Sequence, residues 1–121
     1  MKSYIELDVW IEARKLVSLV YVITNDFPKE ELHGISNQIR KCSVSIPSNI
    51  AEGCGRQTPK DIIRFLYISR GSLYELETQL YLSNDLKFIS DKKLNKILSQ
   101  IEACKKLLNG FINNYKKLRD E

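Results

Sequence analysis

Residues 91–118 read DKKLNKILSQIEACKKLLNGFINNYKKL, and this stretch decides the fold class. Apolar side chains recur in it at alternating steps of three and four residues, which places them along one side of an α-helix. The positions are Leu94, Ile97, Ile101, Cys104, Leu108, Phe111, Tyr115 and Leu118. A heptad repeat of this length is typical of a helix that packs against other helices, and it predicts a helix over about residues 90–118.

Three more segments have helical periodicity, at about residues 8–27, 30–54 and 58–86. Thr58 is a favourable N-cap, and the proline that follows it is well tolerated in the first turn of a helix. Pro47 lies inside the second segment, and we expect it to kink that helix without ending it, because the apolar seam continues beyond it. The short connections predict antiparallel neighbours.

The composition favours a single helical domain over residues 1–121. Hydrophobic residues make up 43% of the chain, which is ordinary for a globular protein, and only five glycines and three prolines interrupt the helical segments. The sequence therefore predicts an all-α fold, an antiparallel up-down-up-down four-helix bundle with a kinked second helix.

The chain offers few groups for catalysis or metal binding. Its three cysteines, Cys42, Cys54 and Cys104, are never paired as CxxC, and His33 is its only histidine. A disulfide framework, a zinc site and a nucleophile–base pair are therefore not expected. We predict a protein that is not an enzyme and uses no cofactor or metal. Without a visible signal peptide or a membrane-spanning apolar run, we expect it in the cytoplasm.

Two helices carry more apolar surface than one core face requires. The residues concerned are Trp10, Ile11, Val17, Tyr21 and Val22 on the first helix and Tyr67, Tyr74 and Tyr81, seven residues apart, on the third. Three interpretations stay open. These side chains could pack onto adjacent helices, form an interface between subunits, where tyrosine is enriched, or provide a platform on which bases stack.

Positive charge is concentrated in two zones. Residues 92–121 hold eight Lys or Arg against three Asp or Glu, although the whole chain carries a net charge of only +4. The candidate phosphate contacts are Lys92, Lys96, Lys106 and Lys117 in this zone and Arg40, Lys41, Arg56, Lys60, Arg64 and Arg70 in the other. The four lysines fall within about 80° of one another, away from the seam of their helix. Such surfaces suit a nucleic-acid backbone, and the alternatives are a solvated helix face or pairing with nearby acidic residues.

Small residues are concentrated between positions 42 and 53. If the second and third segments form a hairpin that turns near Arg56, residues 42–44 face residues 69–71, and the two backbones approach closely. We therefore expect Gly71 to lie in the contact, where a larger side chain would destabilise the fold. The same pairing brings Arg40 and Lys41 near Arg70.

Four sequence motifs indicate a family. They are LDVW at 7–10, SIPSNIAEG at 45–53, RFL at 64–66 and GSLYELET at 71–78. With these motifs, about residues 4–118 of the chain resemble the four-helix-bundle proteins encoded within intervening sequences of bacterial 23S ribosomal RNA genes. One departure is Ser69, where that family usually has alanine, and we expect no functional consequence.

The resemblance implies a homopentameric, barrel-like ring. A related branch, the accessory proteins of diversity-generating retroelements, has a similar fold, and its basic pentamers bind RNA and a reverse transcriptase. The resulting hypothesis is a non-enzymatic homo-oligomer that binds structured RNA through its basic faces. The alternative is an adaptor ring that docks a partner enzyme such as a reverse transcriptase.

Overall fold

The computed structural model describes residues 3–120, and this part of the chain is all-α, as predicted. Its four helices are α1 (Asp8–Thr24), α2 (Ile35–Cys54), α3 (Pro59–Asp85) and α4 (Asp91–Asp120). Short 3-10 turns at Tyr4–Glu6 and Lys29–Glu31 precede α1 and α2. Each helix of residues 3–120 lacks either the length or the apolar character that crossing a membrane would require.

The connection between α1 and α2 is longer than the sequence predicts. α1 ends at Thr24, three residues before Phe27, because Asn25–Phe27 form a turn ahead of Pro28, and a residue before proline avoids the helical region. α2 begins at Ile35, five residues later than position 30, because Gly34 has φ −108° and ψ −122°, outside the helical range. At the other helix boundaries the prediction is within two residues.

Thr58 begins α3 as predicted, since its hydroxyl accepts a hydrogen bond from the backbone N–H of Asp61 at 3.2 Å. α2 runs without interruption through Pro47. In the turns before Pro47, the hydroxyls of Ser43 and Ser45 donate to backbone carbonyls three residues earlier in the same helix. A kink at Pro47 stays a prediction.

The helices are arranged so that α1 and α3 each contact both α2 and α4. Along α1 and α4, late residues meet early ones, since Lys93 pairs with Asp26 and Gln100 donates to the backbone of Glu12. These contacts are those expected of antiparallel neighbours, while the complete up-down-up-down order stays a prediction.

The core is continuous between the four helices, and the seam of α4 changes along its length. Leu94, Ile97, Ile101, Cys104 and Leu108 are buried, as predicted. Beyond Leu108 the buried residue is Ile112, whereas Phe111 and Tyr115 are half-buried and Leu118 is 54% exposed. An α-helix has 3.6 residues per turn and drifts away from a strict seven-residue repeat, so the seam passes to Ile112.

The close contact between α2 and α3 exists, but Gly71 is not part of it. Gly71 is exposed, and a Cβ added there would meet no atom within 4 Å. The glycine in the contact is Gly53, where an added Cβ would lie 3.2 Å from the carbonyl oxygen of Ile62. Ser72, the residue after Gly71, faces α2 instead, and its carbonyl accepts a hydrogen bond from the Cys42 thiol.

Candidate nucleic-acid interface

Four lysines form one exposed line on α4, which we call the lysine stripe. They are Lys92, Lys96, Lys106 and Lys117. At 1.5 Å per residue the stripe is about 37 Å long. None of its ammonium groups forms an ion pair with another residue in the described range 3–120. Their positive charge is therefore available to a ligand.

Two other cations of α4, Lys93 and Lys105, are already neutralised. Lys93 pairs with Asp26 of α1 at 3.3 Å. Lys105, whose side chain is only 13% exposed, pairs with Glu77 of α3 at 2.8 Å and with Glu102 at 3.1 Å. Burial would lower the pKa of Lys105, but the hydrogen bonds that its ammonium donates to these two carboxylates outweigh burial and raise it. Lys105 thus links α4 to α3 and has a structural role.

Arg56 and Arg64 of the second basic zone enclose one aromatic ring. Each guanidinium carbon lies 4.5 Å from the ring centre of Phe65. Arg56 also pairs with Glu52 at 2.8 Å, and Arg64 pairs with Asp61 at 3.1 Å. This arrangement is the pairing with acidic residues that the sequence left open as an alternative to phosphate binding.

Arg40 and Arg70 contact different helices, so the expectation that they lie together is wrong. Arg40 donates from Nε to the Thr24 hydroxyl at 2.8 Å and so faces α1. Arg70 donates to the side chain of Asn109 at 3.2 Å and faces α4. The remaining two candidates, Lys41 and Lys60, are exposed, and no ion pair joins them to another described residue. The second zone is therefore not one basic cluster.

Three tyrosines of α3 lie on its flank beside α4, and we call them the tyrosine row. They are Tyr67, which is half-buried, and Tyr74 and Tyr81, each 50% exposed. The Lys105 ammonium lies 4.6 Å from the ring centre of Tyr74. Around Tyr67, the Arg70 guanidinium carbon is 4.8 Å and the Lys116 ammonium 5.7 Å from the ring centre.

The candidate interface residues of α1 divide by exposure. Trp10, Ile11 and Val17 are half-buried, whereas Tyr21 is 42% and Val22 65% exposed. The rings of Trp10 and Tyr21 are covered in part by Arg14 and Arg40, respectively. Val22 is thus the most accessible apolar side chain of this set.

Sequence reasoning did not assign a role to Lys105 or Lys116, and it named no site residue among the outward apolar residues of α3. The last group, which we call the α3 outer face, comprises Ile68, Leu82 and Leu86, between 45% and 56% exposed. A signal for the two lysines was present, because Lys-Lys pairs occur at 105–106 and 116–117. In each pair the first lysine contacts a tyrosine ring and the second belongs to the lysine stripe.

The cysteines are poorly suited to nucleophilic chemistry. Burial raises the pKa of Cys42 and of Cys104 to about 12, and it also raises the pKa of the half-buried Cys54. A thiol with a raised pKa is protonated at neutral pH and is a weak nucleophile. Among the described residues, no group of three or more His, Cys, Asp or Glu side chains could hold a metal ion.

The model of one protein family matches most of the chain: the 23S rRNA-intervening sequence protein family, over residues 5–110. Among solved structures, the fold resembles a crystal structure of a protein with unknown function from the S23 ribosomal protein family of Bacteroides thetaiotaomicron. The TM-score is 0.79 at 23% sequence identity, with 86% of this chain and 97% of that chain covered. This likeness concerns the fold alone. No curated protein matches the chain.

Proposed function

The chain belongs to the 23S rRNA-intervening sequence protein family, and on that premise we propose that it is a non-enzymatic protein that binds RNA through the lysine stripe. It acts in the cytoplasm as an assembly of several copies. The family name contains ribosomal RNA, which makes RNA the first polyanion to test.

The observation that carries the proposal is the contrast within α4. Lys93 and Lys105 are paired with carboxylates, whereas the four lysines of the stripe have no such partner among the described residues. Lysine binds a phosphate as a point charge, and binding releases counterions from the nucleic acid. Because these contacts would reach phosphates and not base edges, the stripe would give affinity with little sequence specificity.

Self-association would strengthen such weak contacts. The α3 outer face is exposed, and so is Val22 of α1, a helix that shares its neighbours α2 and α4 with α3. Two different apolar faces favour a heterologous contact, in which the α1 face of one copy meets the α3 face of the next and a ring can close. Repetition of the stripe around a ring would multiply its affinity by avidity. The resemblance to the family implies five copies.

Binding of a fluorescently labelled RNA hairpin at increasing salt tests the proposal. We compare the wild type with a variant in which Lys92, Lys96, Lys106 and Lys117 are all changed to Gln. Each phosphate contacted in a single strand contributes roughly 0.7 to the slope of log affinity against log salt. The variant should bind more weakly, with a slope reduced by up to ~2.8 per protomer.

A matched control removes the same charge elsewhere, by changing Lys15, Lys29, Lys87 and Lys93 to Gln. All four side chains are exposed and lie outside the stripe. The control should keep the wild-type slope if the stripe is the binding surface, with melting temperature and assembly state unchanged in both variants. An equal loss of RNA affinity in both variants would reject the stripe as the binding surface. A wild type that binds no RNA at low salt would reject RNA binding.

A second candidate function, docking of a protein partner, is favoured by a cleft between α1 and α4. The cleft has a volume of about 130 Å³ and is lined by Leu19, Val22, Ile23, Asp26, Lys93, Lys96 and Ile97. A partner that places an apolar side chain there would bind with little dependence on salt. The salt titration therefore separates this adaptor role from phosphate binding.

A further inference from the structure

The tyrosine row combines open aromatic surface with cations that contact two of its rings. Tyr74 and Tyr81 are each half exposed although they lie beside α4. Lys105 lies over the Tyr74 ring and is itself held by Glu77 and Glu102, so it fixes the ring without offering a free charge. An exposed aromatic ring in a fixed position is what a base needs for stacking.

Cations that can reach phosphates lie beside Tyr67, because Arg70 and Lys116 contact its ring and neither forms an ion pair with another described residue. Consecutive residues of a helix point about 100° apart, so a Lys-Lys pair can serve two surfaces. Lys105 and Lys116 turn to the tyrosine row, while Lys106 and Lys117, which follow them, are exposed and belong to the stripe. The lysine stripe itself lies towards α1, since Lys96 lines a cleft there with Val22 and Lys106 lines one with Asp8 and Val9.

The spacing of the rings selects the kind of nucleic acid. Tyr74 and Tyr81 are seven residues apart, or about 10.5 Å along α3. Stacked bases of one strand rise only about 3.4 Å per nucleotide, so the two rings cannot hold consecutive stacked bases. They suit bases that have left the stack, as in loops, bulges and single strands, whereas a duplex keeps its base faces covered.

We propose that the tyrosine row binds unpaired nucleotides of RNA, with bases stacked on the rings of Tyr74 and Tyr81 and phosphates on Arg70 and Lys116 beside Tyr67. This inference rests on the proposed function and names its ligand as unpaired RNA. It also assigns the two tyrosines to RNA and leaves the α3 outer face, about 100° around the helix from them, for contact between copies.

The test uses two RNA probes, an oligouridylate single strand and a fully paired duplex without overhangs. Tyr74 and Tyr81 are both changed to Leu in one variant and both to Phe in its matched control, which keeps the rings. The Leu variant should lose at least about five-fold in single-strand affinity for each ring, the low end of measured base–aromatic stacking. The Phe control should bind like the wild type, and duplex affinity and the salt slope should stay unchanged in both.

The outcomes separate this inference from the proposed function. The stacking platform is wrong, while RNA binding stands, if the Leu variant binds the single strand like the wild type. The same holds if it loses as much affinity for the duplex as for the single strand. A smaller particle mass of the Leu variant in light scattering would assign the rings to contact between copies and overturn the inference. A wild type that binds neither probe would refute the proposed function itself. Should the double Leu variant fail to fold, Tyr81→Leu alone decides, since this exposed ring contacts no other ring or cation in the described range 3–120.

Discussion

The hydroxyl of Ser69 in α3 donates a buried hydrogen bond to the backbone carbonyl of Ile46 in α2, 2.9 Å away. In the same contact the Cys42 thiol donates to the carbonyl of Ser72 at 3.1 Å, and the hydroxyls of Ser45 and Ser72 lie 2.6 Å apart. Small side chains let the two helices approach until polar groups of one reach the backbone of the other. Hydrogen bonds as well as apolar packing therefore hold α2 against α3.

Gly53 is the position where this contact is least tolerant of a side chain. A Cβ there would lie 3.2 Å from the carbonyl oxygen of Ile62 and 3.3 Å from Cβ of Phe65. We expect Gly53→Leu to lower the free energy of unfolding by about 1–3 kcal/mol or more, because the helices must move apart. Urea denaturation followed by circular dichroism measures the change.

Gly71→Ala is the matched control for Gly53. No atom lies within 4 Å of the added Cβ, and the residue is exposed to solvent midway along α3. Replacing such a glycine should stabilise the protein by about 0.5–1 kcal/mol, since alanine loses less backbone entropy on folding. A loss of stability at position 71 comparable to that at 53 would contradict the packing described above.

Ser69→Ala removes the hydroxyl that joins α3 to Ile46. We expect a cost of about 0.5–1.5 kcal/mol in unfolding free energy, the net value of a typical hydrogen bond. Folding and assembly should persist, in line with the alanine that the family usually has at this position. Ser99→Ala is the control: its hydroxyl donates to a carbonyl of its own helix on the exposed face of α4, so the change should be near neutral. An equal loss of unfolding free energy at both sites would show that the Ser69 hydrogen bond adds no particular stability.

The sequence predicts the four helices and most of the core, because apolar periodicity determines which face of each helix is buried. It predicts contacts between helices less well. A shift of one residue in the pairing of α2 with α3 turns a side chain by about 100°, and so Ser72 faces Cys42 where Gly71 was expected. Likewise, the α2–α3 hairpin alone predicted that Arg40 and Arg70 lie together, whereas the side chains they bind belong to α1 and α4.

The buried thiols should make stability depend on alkaline pH. Burial raises the pKa of Cys42 and Cys104 from the ordinary 9.0 to about 12, so in the folded state they stay protonated where the unfolded chain ionises. Their contribution is complete below about pH 9 and is lost as the pH rises from there towards 12. The urea midpoint should therefore fall as the pH is raised from about 9 towards 12.

A variant with Cys42 and Cys104 both changed to Ala should show a shallower decline over the same pH range, whatever its absolute stability. Cys54→Ala is the control, because this thiol is only half-buried. Cys54 should also be the first of the three cysteines to react with a maleimide under native conditions. An unchanged pH profile in the double variant would show that other groups cause the alkaline loss.

Assembly should depend on both Val22 and Leu82. Val22 is 65% exposed on α1 and Leu82 is 49% exposed on α3. A glutamate at either position would bury an unpaired charge in a contact between copies, so Val22→Glu and Leu82→Glu should each be monomeric, near 14.1 kDa, in light scattering. Ser99→Glu, at an exposed position of α4, should assemble like the wild type.

Mixing the two variants distinguishes a heterologous contact from a symmetric one. In a heterologous contact the intact α3 face of the Val22→Glu chain still fits the intact α1 face of the Leu82→Glu chain. One chain of each variant should then join through this single pair of intact faces and give a particle of twice the chain mass. Each variant alone should stay monomeric. If only one of the two substitutions disrupts assembly, the contact joins identical faces in a two-fold dimer. If neither does, these faces play no part in assembly, and the ring implied by the family must use other surfaces.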